Sequence, residues 1–185
     1  MNKQYIAIYD KRLVAQGELA TVVQIVKSQF PDSEPYLFEM DNGNRIDIDW
    51  SGDADQVIKN LPAALVPPAK KRGRPKLGVV SKEVTLLPEH WDWLAVQRGG
   101  ASITLRRLID AAMNTMTTAQ QQRIKQDQLY RMMRVFEDDE GFEAASRAMY
   151  RLDGTSFKAA IANWNTDLAA IFLQKFNAIV SVGEG

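Results

Sequence analysis

The sequence predicts an α+β protein: a small N-terminal ββαββ unit, a basic extended linker, and a mostly α-helical C-terminal region. Three observations predict it. Short apolar runs bracket one helical stripe within the first sixty residues. Residues 61–78 collect four prolines, two glycines and five clustered cations. From Gln120 onward apolar residues recur at helical spacing.

Taken in order, Tyr5-Ile6-Ala7-Ile8-Tyr9 reads as a strand, Asp10-Lys11-Arg12 turns it, and Leu13-Val14-Ala15 is a short return strand. Glu18 to Gln29 is a helix with Leu19, Val22, Val23 and Val26 on one face, ended by Pro31-Asp32-Ser33. Tyr36 to Met40 and Arg45 to Trp50 are strands around Asp41-Asn42-Gly43-Asn44. An Asn-Gly pair between alternating apolar runs signals a hairpin. Asp53 to Asn60 adds a short helix. These elements define a domain over residues 1–60, and residues 61–78 form a linker whose composition favours an extended chain.

Residues 79–118 read as strand, helix, turn, helix. Pro88 suits a first helical turn. Glu89 to Gln97 follows, with Trp91, Leu94 and Val96 as its inward candidates, and Arg98-Gly99-Gly100 breaks it. Ser102 is placed to cap a second helix reaching Met116, with Ile103, Leu105, Leu108, Ile109 and Ala112 as its apolar stripe. Residues 119–182 form a helical region. Its core candidates run from Leu129, Met132, Met133 and Phe136 through Phe142, Ala145, Met149 and Leu152. They continue with Phe157, Ile161 and Trp164, then Leu168, Ile171, Phe172, Leu173 and Phe176. Asp153-Gly154 and Asn163-Trp164-Asn165 interrupt the pattern.

Composition excludes several function classes. A chain of 185 residues with 45% hydrophobic and 25% charged residues is globular in type. It has no apolar run of membrane-spanning length, and Met1-Asn2-Lys3-Gln4-Tyr5 is no secretory signal. The absence of cysteine removes disulfides and thiolate metal sites, and fits a cytoplasmic protein. His90 is the single histidine, with neither a nucleophile nor a second ligand beside it in the sequence. Gly99-Gly100 lacks the spacing of a phosphate loop. Glu137-Asp138-Asp139-Glu140 lacks the ligand spacing of a calcium loop and reads as a solvated turn. No enzyme, no catalytic residue, no metal and no cofactor is expected.

The formal charge of zero conceals an asymmetry. Residues 1–68 hold 6 Lys/Arg and 10 Asp/Glu, a net of −4; residues 69–134 hold 13 and 5, a net of +8; residues 135–185 hold 4 and 8, a net of −4. A basic middle between acidic ends marks where a polyanion docks.

That middle begins with Lys70-Lys71-Arg72-Gly73-Arg74-Pro75-Lys76. Pro75 fixes its own φ and pushes Arg74 toward extended geometry. Gly73 has no Cβ, so the backbone between Arg72 and Arg74 can lie against a groove floor. A narrow A·T minor groove concentrates negative potential and attracts inserted arginine, whereas a G·C pair obstructs its floor with an amino group. Lys70, Lys71 and Lys76 suit the flanking phosphates. The segment resembles the AT-hook, whose core is Arg-Gly-Arg-Pro with basic flanks. By average residue usage that core arises by chance in roughly one chain in several hundred. A plain basic tether and a localisation signal are the alternative readings.

The order in 79–118 resembles a ribbon-helix-helix repressor, which pairs its strand with a second chain and sets the ribbon in the major groove. If Val84 and Leu86 face the core, Glu83, Thr85 and Leu87 face the DNA, and a carboxylate and a leucine are poor base readers. A plain helical pair with Arg106-Arg107 outward is the alternative. The whole chain resembles a family of uncharacterised bacterial proteins grouped as a domain of unknown function. The resemblance rests on Gly73 to Val80, Glu83 to Pro88 with His90 to Leu94, and Gly99 to Ser102 leading to Leu105 to Asp110; the later Gly141 to Ala145 and Phe157…Trp164 pieces look similar too. It implies a bacterial, cytosolic protein and supplies no activity.

The expectation from these residues is a DNA-binding protein, a transcriptional regulator or nucleoid-associated factor preferring A·T-rich duplex. Lys70 to Lys76 grip the minor groove. Ser102, Thr104, Arg106 and Arg107 hold adjacent phosphates or the major groove, in a homodimer. The alternative is a protein-interaction adaptor that binds a partner through the acidic N- or C-terminal region and uses the basic linker as a tether.

Overall fold

A computed structural model describes residues 3–66 and 82–183. The chain divides into two compact units. Met1–Val66 and Thr118–Gly185 form the first; Pro67–Thr117, inserted between them, forms the second.

The first unit is built on a four-stranded antiparallel sheet. Strand β1 (Tyr5–Tyr9) turns at Asp10-Lys11 into β2 (Arg12–Gly17). Both turn residues have positive φ, 47° and 56°, the handedness that two-residue hairpins require. Helix α1 (Leu19–Gln29) crosses over, then β3 (Tyr36–Glu39) pairs with the free side of β1, giving the order β2-β1-β3-β4. Strand β4 is only Arg45–Ile46, shorter than the 45–50 run expected. Its ladder stops because Asp47, Ile48 and Asp49 pair with nothing in the sheet, and Asp49 instead accepts from the Ser51 amide at 2.9 Å. Helix α2 (Ala54–Lys59) opens on a reciprocal cap, in which the Asp53 carboxylate accepts from the Gln56 amide and the Gln56 side chain accepts from the Asp53 amide.

β1 is buried on both faces. Tyr5 and Ala7, with Leu37 of β3, pack against Val22, Val23 and Val26 of α1 and against Trp50 and Val57. Ile6 and Ile8, with Phe38, join the second core, made by the C-terminal helices. These are α5 (Thr118–Met133), α6 (Phe142–Tyr150), α7 (Gly154–Ala160) and α8 (Thr166–Val180). Residues 1–60 and 119–182, assigned above to separate domains, therefore share one core. The interruptions expected at Asp153 and Asn165 are helix caps: their side chains accept from the Ser156 and Leu168 amides at 3.0 and 3.2 Å. Phe136 stacks on Trp164, centroids 4.3 Å apart, and meets Phe172 edge-on.

The β3–β4 turn fastens the two chain segments together. Asn44 accepts from Arg131 of α5 at 2.8 Å, and Lys175 of α8 donates to the Met40 carbonyl. Gly43, at φ +67°, lies so close to α5 that a Cβ would stand 2.3 Å from the Gln128 carbonyl oxygen. Gly43→Ala is expected to destabilise the first unit by about 2 kcal/mol or more, since the left-handed conformation alone costs an alanine roughly 1–2 kcal/mol and the backbone clash adds to it. The check is the urea midpoint, which should fall at unchanged slope.

The second unit contains α3 (Pro88–Ala95) and α4 (Gly100–Asn114). Pro88 takes the first helical position, as its sequence context required. The cap of α4 is Gly99, at φ 94°, and not Ser102, which lies inside the first turn. Residues 79–81 of the expected strand lie outside the described residues. Residues 82–87 run into α3 without a ladder in this chain.

Candidate nucleic-acid interface

Lys70, Lys71, Arg72, Gly73, Arg74, Pro75 and Lys76 lie outside the described residues. Of the other four interface candidates, all on α4, the helix brings two together. Ser102 and Arg106 are four residues apart and exposed, and the Arg106 Nε donates to the Ser102 carbonyl at 3.2 Å. Arg107 is exposed about 100° further round the helix. It makes no ion pair among the described residues. Ile103 precedes Arg106 and Arg107 by three and four positions, so it shares their side and not the apolar stripe given to it above.

Thr104 does not join that surface. It is 1% exposed, and its hydroxyl has no hydrogen-bond partner among the described residues. Alongside Leu94 it forms the small interior of this unit. A buried hydroxyl without a partner costs stability, and an apolar group of the same shape removes that cost. Thr104→Val should therefore stabilise the helical pair by about 1 kcal/mol and leave DNA affinity unchanged. Hydrogen exchange of the α4 amides reads the first effect, and a duplex titration reads the second.

The charge of the basic middle is unevenly placed. Residues 70–76 supply five of the net +8 between 69 and 134. Residues 82–117 hold four cations and four anions and are neutral, and residues 118–134 supply the remaining +3, from α5 and from Arg134 just after it. The helical pair thus offers Arg106 and Arg107 to a phosphate but no basic field of its own.

Sequence reasoning did not anticipate a cleft of about 960 Å³ in the first unit, beside the β1–β2 turn. The Arg45 guanidinium lies 4.3 Å over the Tyr36 ring there and pairs with Asp47 at 3.0 Å; Arg134 pairs with Glu137 at 3.0 Å. Four cations and four carboxylates line the cleft, so it draws no polyanion. The acidic turn is exposed at Glu137, Asp138 and Glu140, as a solvated turn should be, while Glu137 and Asp139 also hold Arg134 and Lys11. Lys175 of α8 is half-buried at the β3–β4 turn. Burial lowers its pKa, partly offset by the charge of Asp41. Its hydrogen bond to the Met40 carbonyl makes it a tie between helix and hairpin. The signal for it was weak, a lone lysine within the apolar α8 run.

His90 is exposed, 4.0 Å from the Glu89 carboxylate on the same turn. Among the described residues no three His, Cys, Asp or Glu side chains converge as metal ligands, and no helix is long and apolar enough to cross a membrane. No curated protein and no solved structure matches the chain. A family model described as an uncharacterized protein conserved in bacteria (DUF2239) does match, over residues 4–175. That span takes in the sheet, the inserted unit and nearly all of the C-terminal helices, and the chain belongs to this bacterial family.

Proposed function

We propose that the protein is a non-enzymatic DNA-binding protein of the bacterial cytoplasm, a transcriptional regulator or nucleoid-associated factor that prefers A·T-rich duplex. The Arg72-Gly73-Arg74-Pro75 core with its lysine flanks carries this reading. It pairs two arginines about a glycine and a proline, the combination that a narrow minor groove accepts. The solvent-facing Ser102, Arg106 and Arg107 support it as secondary phosphate contacts. So does the neutrality of residues 82–117, which leaves the arm as the densest cationic segment of the chain.

The test is a gel shift with A·T-rich and G·C-rich duplexes at two salt concentrations, using the intact chain and one lacking residues 69–78. The intact chain should shift the A·T duplex at lower protein concentration, and the deletion should erase the difference. No shift at low salt would favour the adaptor reading, with the linker as a tether. A shift without A·T preference would reduce the arm to nonspecific electrostatics.

A further inference from the structure

The second unit is incomplete as a single copy. Among its described residues only Leu94 and Thr104 are buried. Units of about 60 residues or fewer are marginal alone, and the smallest are usually held by a disulfide, a metal or a partner. This one has no cysteine, and its described residues include no metal-holding group. Among the described residues it also holds nine of the thirteen exposed large apolar side chains. On α4, Ile109 (55% exposed) and Met113 (62%) are neighbours four positions apart, and with Leu108 (46%) they span an apolar stripe about 140° wide that faces away from Arg107 and has Arg106 at its edge. Before it, Val84, Leu87 and Trp91 are exposed to a similar degree.

We propose that this unit folds as a symmetric pair with the same unit of a second copy of the chain, through Leu108, Ile109 and Met113 of α4 together with Val84, Leu87 and Trp91. Three observations select a second copy as the occupant. The first is the distribution of apolar surface. Among the described residues the first unit exposes only Tyr9, Tyr36, Val66 and Ile124 of its large apolar side chains, so it offers no matching face. The apolar surface able to cover this stripe is the stripe itself, and self-complementarity is what a two-fold interface requires. The second is charge. Residues 82–117 balance four cations against four anions, so two copies meet without net repulsion. The third is area. Six half-exposed side chains carry on the order of 550 Å² of apolar surface, which at an apolar share of about 65% implies about 850 Å² per partner, against about 800 Å² for a standard stable interface.

Two consequences follow for behaviour. Folding of the second unit becomes dependent on protein concentration, and folding of the first does not. Two basic arms are also carried by one particle, and this consequence rests on the DNA-binding reading.

The experiment uses the full chain without DNA. Sedimentation is followed over dilution from about 100 μM to about 0.1 μM, with thermal melts at each concentration. The expected result is a particle of twice 20.8 kDa at the upper end, with two melting transitions of which only the lower moves with concentration. Leu108→Glu with Ile109→Glu should give a monomer, and Arg107→Gln, on the opposite side of α4, should still pair. A monomeric parent at the highest concentration overturns the proposal, and so does a double-glutamate variant that keeps the parent's mass. Because no DNA is present, the two readings fail separately. A pair without A·T preference sinks only the DNA reading, and a monomer that prefers A·T sinks only this one.

Discussion

Arg72→Ala combined with Arg74→Ala is expected to abolish the preference for A·T over G·C duplex and to flatten the salt dependence of binding. Five cations in 70–76 neutralise about five phosphates, for a slope of log K against log salt near −4.5 per arm; three leave a slope near −2.7. Between 50 and 200 mM salt the parent should lose about 500-fold in affinity and the variant about 40-fold. The two effects separate cleanly in Arg72→Lys with Arg74→Lys. That variant keeps the charge, hence the slope, but lysine is more strongly hydrated and lacks the planar fork suited to the narrow groove, so A·T preference should fall. Fluorescence anisotropy against both duplexes reads all four quantities. A double-alanine variant that binds the two duplexes just as the parent does sinks the arm as a DNA contact. If two copies place both arms on one duplex, the parent slope steepens to about −9, so the slope also reports pairing.

Much of the first unit was legible because local rules and tertiary structure agree there. The Asn42-Gly43 pair, the Leu19/Val22/Val23/Val26 stripe and the capping Asp153 and Asn165 each announce their element through short-range chemistry. What one segment could not announce was its partner. Yet Tyr5-Ile6-Ala7-Ile8-Tyr9 carries no alternating polar residue, the signature of a strand buried on both faces. α1 covers one face, so a second apolar layer was owed, and residues 119–182 supply it. β4 was overextended because Asp47, Ile48 and Asp49 alternate as a strand would, while an Asx-type bond to Ser51 diverts the chain. On α4 the errors share one cause. Ser102 suits a cap and Thr104 a phosphate contact by residue type alone. The Gly99 cap moves the helix start three residues earlier, which puts Ser102 in the first turn, and the turn of the helix carries Thr104 inward.

Excising the second unit should leave a folded protein, whereas residues 1–66 alone should not fold. Residues 1–66 in isolation would expose Ile6, Ile8 and Phe38, now 0%, 1% and 4% exposed. At about 1.5–3 kcal/mol each, that is roughly 5–9 kcal/mol, enough to exhaust the stability of an ordinary domain. The ties from Asn44 to Arg131, Met40 to Lys175 and Lys11 to Asp139 would be lost as well. Replacing 67–117 by a Gly/Ser linker of about 20 residues keeps every one of these contacts. It changes loop-closure entropy by only about 0.8 kcal/mol, in the stabilising direction. The spliced chain should therefore melt cooperatively, with α-helix and sheet signals lost together, and it should stay monomeric at every concentration because the paired stripe is gone. A spliced chain without a cooperative transition would mean that the inserted unit supports the first. A cooperative melt of residues 1–66 alone would mean that the C-terminal helices are not the second wall of its core.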